Sequence, residues 1–392
     1  MAIISLLCYN SSIFFLGFLV IDTLASLINS FPEKNTNNAL IKAEQYIFLF
    51  SFCISDLLSG FLVIITMNLM KSSKTEKIRT NIQDAILLRR NNNDDKNKKI
   101  KKYLLLFGIC LIDLIGRSCS FVYYLLFEDK IDREETIGLF SSEMIFRTIF
   151  SQLILKTKLY KHHYMSIIII IIGYLPLLIF GIVNLVDWKI IIFFLLRCLA
   201  FSIGDNFTKL LFTKEFLLPQ DVMLYKGFFA LLIHCFVLLP IFFSNQILSF
   251  GLFFDYIRTN KLNKLLKTIL LILCDFLRNI FILQIIYLFS PIHIGFLVHI
   301  TKYIGYILPF FFDGWNERYL PEPKIMSLII YILLFVFIIF GTLVFSEIIV
   351  INKCGLNEHT KPGLLEKLKL DRASLDSERY EYNEEEEESE TN

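Results

Sequence analysis

"LLILCDFLRNIFILQIIYLF", residues 270–289, is apolar enough to cross a bilayer, yet it carries Asp275 and Arg278 near its middle. About 20 mostly apolar residues span the hydrocarbon core as a helix. An ionised side chain at the centre of such a span costs at least ~2.5–3.5 kcal/mol, so a chain that accepts this cost must turn the charges away from lipid. A second stretch, "LFGICLIDLIGRSCSFVYYLLF" at 106–127, repeats the pattern with Asp113 and Arg117. Both follow a lysine-rich run and both carry a tyrosine near the far end, Tyr124 and Tyr287. Asp113 and Arg117 are spaced i,i+4, and Asp275 and Arg278 i,i+3, so each pair shares one face of its helix.

The rest of the chain has the same character. It has 392 residues, of which 55% are hydrophobic and 19% charged, with 40 Phe, and its mean hydropathy is +0.59. Soluble domains are typically about 45–50% apolar, so this chain has more apolar surface than one core needs. It is expected to be an all-α polytopic protein embedded in a lipid bilayer. A formal net charge of +2 gives no reason to expect nucleic acid as a partner. Cys53, Cys110, Cys198, Cys235 and Cys274 lie inside apolar segments and read as small buried thiols. His162 and His163 stand beside a membrane end with no Cys or carboxylate at ligand spacing. There is no zinc signature, nucleophile elbow or Walker loop, so neither an enzyme nor a metal or other cofactor is expected.

Ten candidate spans fall near 11–30, 45–70, 103–127, 138–157, 164–186, 189–212, 224–243, 267–289, 292–312 and 325–351. Three are polar for their length: the fourth with Glu143 and Arg147, the sixth with Arg197, Asp205 and Lys209, and the ninth with Lys302. Without those three, seven spans remain, and a receptor or other signalling protein is the alternative. The first segment lacks a basic leader and reads as a retained span rather than a signal peptide. The basic loop at 71–102 and the "KTKLYKHH" connection at 156–163 belong in the cytosol by the positive-inside rule, and the acidic "EDKIDREE" at 128–135 on the other side. Both termini then lie in the cytosol, although "DYIRTNKLNKLLK" (255–267) lands outside despite its lysines. Residues 353–392, ending "SERYEYNEEEEESETN", form a tail too acidic to fold.

The two Asp–Arg spans belong to a longer repetition. Residues 98–186 laid against 261–345 match a basic lead-in, a span with a central acid–base pair, a polar span, a charged corner and a closing apolar span. The closing spans contain Gly173 and Gly341, and the corners are "LKTKLYKHH" and "DGWNERYLPEP". Five spans per half place the second half, 188–352, upside down relative to the first, 1–187. Inverted repeats of this kind build many secondary transporters, with substrate near the midplane.

Three short segments carry a family likeness. The corner "WNERYLPEP" (315–323) resembles the Gly-Glu-Arg-Leu-Thr corner of the drug/metabolite transporter superfamily, the EamA-like group. "FSIGDNFTKLLFTKEFLLPQDVMLYKGFF" (201–229) is similar to the sixth span, loop and start of the seventh in the nucleotide-sugar branch. "HITKYIGYILPFFF" (299–312) is similar to that branch's ninth span, where Thr301–Lys302 stands for an Asn-Lys pair facing the substrate. Tyr225 matches the branch's Phe-Tyr-Asn-Asn motif, while Lys226 and Gly227 do not. The resemblance implies ten spans in two inverted halves, and exchange or facilitated transport of small polar metabolites across an endomembrane, Golgi or ER, or another organelle membrane.

The intramembrane charges set the expected site. Asp113–Arg117 and Asp275–Arg278 are either self-neutralising locks or arginines shared between an acid and an anionic substrate. Arg147 has Glu143 one turn earlier, and Lys209 has Asp205. Lys302 has no acid at i±3 or i±4 and points to a substrate or a partner on another helix. Asp22 and Asp56 either partner the arginines or carry a coupling proton. Lys226 can snorkel to water, and His234 and His293 suit packing better than proton relay. Arg117, Arg147, Arg197, Lys209, Arg278 and Lys302 exceed Asp113, Glu143, Asp205 and Asp275 by two, which favours a small organic anion such as a nucleotide sugar or phosphorylated metabolite. Lys302, Arg278, Arg117, Tyr225, Lys209 and Thr301 are the expected substrate contacts, and the sequence admits a homodimer.

Overall fold

A computed structural model describes residues 11–30, 54–58, 60–61, 96–127, 133–184, 188–215, 217–244, 261–307, 324–351, 356 and 360. The helices are α1 (Ser11–Ser30), α2 (Lys96–Phe127), α3 (Arg133–Ile154), α4 (Lys161–Asn184), α5 (Trp188–Lys214), α6 (Pro219–Ile233), α7 (Lys261–Leu288), α8 (Pro291–Ile307) and α9 (Lys324–Phe345). Residues 54–58 and 60–61 are helical too, and no strand occurs among the described residues. Most of the 71–102 loop, the "DGWNERYLPEP" corner, nearly all of the acidic tail and most of the second span lie outside the described residues.

Among the described residues, three helical stretches are long and apolar enough to cross a membrane: Ile191–Lys214, Asp221–Ile241 and Ile269–Leu288. The first lies in the span that its charges had made doubtful. These helices are turned inside out relative to a soluble protein. On α7, Leu266, Ile269, Leu270 and Leu273 are exposed while Asp275 and Asn279 are buried, and α9 exposes Ile329, Leu333 and Val336. Apolar outer faces with acids beneath them suit a protein whose solvent is lipid.

Local sequence sets the element ends. α2 has 32 residues, about 48 Å at 1.5 Å per residue, well beyond a ~30 Å hydrocarbon core. Its opening "KNKKIKK", which the sequence assigns to the basic loop, is helical and lengthens the helix past the apolar region. α6 continues through a π turn at His234–Leu238 into a last helical turn, Leu239–Ser244. Pro240 follows just after the π turn, and in a regular α-helix its ring would clash with the carbonyl four residues back. The wider turn shifts the register so that the Leu239 N–H reaches the His234 carbonyl.

α9 ends with Glu347 at φ 57°. The Ile348 N–H bonds the Leu343 carbonyl and the Glu347 N–H the Val344 carbonyl, a Schellman ending with its left-handed residue at 347. Glycine usually takes that place, because a side chain there costs about 1–2 kcal/mol.

The chain divides into two compact units, Met1–Thr157 with Tyr174–Ile332, and Lys158–Gly173 with Leu333–Asn392. In the first unit α2 and α3 pack chiefly on α5, α7 and α8 chiefly on α1, and α3 on α8. Its main apolar cluster joins Phe18, Leu106, Ile109, Leu211, Ile286 and Leu297. α6 and residues 54–61 approach each other backbone to backbone. A Cβ on Gly227 would fall 2.8 Å from the Asp56 carbonyl carbon and 2.6 Å from Leu57 Cα, and one on Gly60 would fall 2.7 Å from Leu224 Cα. Backbone cannot yield as a flexible side chain can. Gly227→Ala should therefore cost about 1–3 kcal/mol, the usual range for overpacking, read as a lower melting temperature in detergent. In the second unit Ser166 Oγ donates to the Gly341 carbonyl at 2.5 Å.

Candidate functional site

Among the described residues of the first unit, the buried ion pairs gather into two groups. In the larger, Arg117 Nε donates to Asp113 Oδ2 at 2.9 Å and Nη2 to Asp56 Oδ2 at 3.3 Å. Lys226 Nζ lies 3.1 Å from the same Asp113 oxygen. Asn279 Nδ2 donates to Asp56 Oδ1 at 2.5 Å and so joins α7 to this set. One turn away, Arg278 Nη2 lies 3.2 Å from Asp275 Oδ1 and Nη1 3.3 Å from Asp22 Oδ1. Thr301 Oγ1 donates to Asp22 Oδ2 at 2.5 Å, bringing in α8. Asp22, Asp56 and Asp275 are 6%, 4% and 1% exposed.

The Gly227 contact explains the reach of this group. Because α6 and residues 54–61 meet backbone to backbone, Asp56 lies deep enough to meet Arg117 while Lys226 extends to Asp113. Lys226 is thus ion-paired, where the sequence had suggested snorkelling to water.

The smaller group centres on Arg147. Its Nη2 lies 2.7 Å from Glu143 Oε1 and 2.7 Å from Asp205 Oδ2, and Nε donates to Asp205 Oδ2 at 3.0 Å. Ser202 Oγ donates to the Glu143 carbonyl and Asn206 Nδ2 to the Arg147 carbonyl, riveting α3 to α5. The Glu143–Arg147 spacing was legible in the sequence. Asp205 pairs across helices with Arg147, however, and Lys209 donates instead to the Tyr287 carbonyl at 2.8 Å, near the end of α7.

Several expected contacts fall elsewhere. Tyr225 Oη lies 3.5 Å from Tyr103 Oη, and Tyr103 is ten residues, about 15 Å of helix, from Asp113. Its hydroxyl therefore points away from the arginines. The side chain of Lys302 lies outside the described residues. The Arg197 guanidinium stands 5.1 Å from the Phe201 ring centre and 5.5 Å from that of Phe194, a cation–π arrangement. His293 packs among Phe15, Phe289 and Phe296 and hydrogen-bonds Ser290 at 2.8 Å, as a packing residue does.

The charge count changes accordingly. The larger group holds Asp22, Asp56, Asp113 and Asp275 against Arg117, Lys226 and Arg278, four acids to three bases. The smaller holds Glu143 and Asp205 against Arg147. Asp22 and Asp56 offset the surplus of positive charge counted from the sequence, and among the described side chains each group carries one acid more than it has bases. Removing one partner from a buried pair strands the other charge in low dielectric, so such groups can exchange partners more cheaply than lose one. No protein-family model matches the chain, and a search of curated proteins finds no significant match.

Proposed function

We propose that the chain is a secondary transporter of ten spans in two inverted five-helix halves. It would carry a small polar metabolite, an organic anion, across an organelle membrane by alternating access. The packing of the helices is the observation that carries this reading. If first-half and second-half spans exchange places, α2 becomes α7, α3 becomes α8, α4 becomes α9 and α5 becomes α1. The α2–α5 contact then maps onto α7–α1, α3–α5 onto α8–α1, and α3–α8 onto itself. Unrelated apolar helices have no reason to pack in such matched sets, whereas a pseudo-two-fold axis demands it.

Within the second unit, the glycines of the two closing spans show a matched relation of their own. A Cβ on Gly173 would meet Phe337 Cβ at 2.9 Å, and one on Gly341 would meet the Ser166 carbonyl oxygen at 3.1 Å. Each glycine faces the other's helix, as equivalent residues beside a two-fold axis do. Small residues of this kind permit close helix crossings in membranes.

Charge decides the mode of transport. A buried group with one acid in excess accepts an anion only if a proton or another cation is taken up alongside it. Neutralising Asp22 or Asp275 would free part of the Arg278 fork for a substrate phosphate or carboxylate. The protein reconstituted in vesicles should accumulate at least one labelled nucleotide sugar or phosphorylated metabolite, faster under an inward proton gradient. Absence of uptake across the whole panel, with and without the gradient, would rule the reading out.

A further inference from the structure

Besides the buried charges, the described chain brings together a second set of chemically able side chains, at the boundary where α4 begins and α9 ends. His162, 3% exposed, has Nε2 at 3.4 Å from Glu347 Oε1. The His162 and His163 ring centres are 3.9 Å apart, and Tyr160 stacks on both. Phe345 meets the His163 ring edge-on at 4.7 Å. One donor atom from each of His162, His163 and Glu347 lies within 4.8 Å of the others.

We propose that these three side chains bind a divalent transition-metal ion, zinc above all, which clamps the first turn of α4 to the end of α9. Zinc takes imidazole nitrogen and carboxylate oxygen at about 2.0–2.2 Å in a tetrahedron, which sets ligand atoms about 3.3 Å apart. The His162–Glu347 pair already stands at that spacing, and His163 needs only a modest shift. His163 Nδ1 now accepts the Tyr160 N–H at 3.1 Å, so a metal on that nitrogen replaces one hydrogen bond.

The backbone at Glu347 is a separate pointer. A left-handed helix ending prefers glycine, and this one holds an acid that reaches a histidine 185 positions earlier in the chain. Strain kept at a residue with ligand chemistry is a mark of function. Two histidines and one glutamate also leave a fourth zinc position open to water or another ligand.

Glu347→Gly makes the test clean, because it removes a ligand while relaxing the backbone. Full-length protein in detergent, stripped with chelator, is titrated with Zn2+ by calorimetry. The wild type should bind one ion per chain and melt at a higher temperature with zinc than without. Outer-shell partners alone are worth ~10–100-fold in metal affinity, so Glu347→Gly should lose at least ~100-fold and its zinc-dependent melting shift. His163→Gln, which leaves the helix ending intact, should do the same. The inference is overturned if wild type binds no zinc, or if either variant binds it as tightly as wild type. Because the readout is binding rather than transport, failure here leaves the proposed function standing.

Discussion

Replacing Arg147 with methionine should cost about 3–5 kcal/mol of stability, the range for breaking a buried ion pair by deleting one partner. Arg147 is 3% exposed and its guanidinium lies between Glu143, 3% exposed, and Asp205. Methionine fills much of the same volume, so the loss is electrostatic: two acids share an apolar seam with no cation. The triple variant Arg147→Met, Glu143→Gln, Asp205→Asn should recover most of the loss, since no charge is then stranded. Thermal melts in detergent for the single, paired and triple variants form a cycle that isolates the coupling. A single variant as stable as wild type would mean that the arginine is hydrated, not locked between α3 and α5.

Arg278→Lys should cut substrate uptake at least ~tenfold while the protein still folds. Lysine keeps the charge but loses the planar fork that presents parallel N–H donors. Arg278 now uses Nη1 for Asp22 and Nη2 for Asp275, and a single ammonium cannot hold both acids and also release one face to an anion. Weaker substrate affinity, with a smaller change in maximal rate, is the expected pattern. Asp275→Asn should have a different signature: uptake that no longer responds to a proton gradient. Equal uptake by wild type and Arg278→Lys would place the substrate elsewhere.

The residues that share a helix face were readable in advance, and those that face one another across helices were not. Spacing alone paired Asp113 with Arg117, Glu143 with Arg147 and Asp275 with Arg278, and the structure keeps all three. The same rule coupled Asp205 to Lys209, where it failed, because the rotation of α5 against α3 aims Asp205 at Arg147. Helix rotation depends on packing that one sequence does not reveal. Lys226 was misjudged for a related reason: the Gly227 crossing that draws α6 inward is a contact between backbones. Gly227 itself was visible as a departure from the Asn pair of the resembling family, and a small residue in a span was the one available hint of close approach. The His162–His163–Glu347 cluster was hidden by distance along the chain, since ligand spacing was sought locally.

Everything rests on α7 having one face toward a polar interior and one toward lipid. Cysteines placed singly at Asn279, 7% exposed within the charged group, and at Leu273, 51% exposed on the opposite surface, test this in a background without the native thiols. Asn279→Cys should react with a charged, membrane-impermeant thiol reagent, and substrate should slow the reaction. Leu273→Cys should react only with a lipid-soluble reagent. The reverse pattern, with position 273 open to water and position 279 labelled from lipid, would contradict the structure's placement of its buried charges and the transport reading with it.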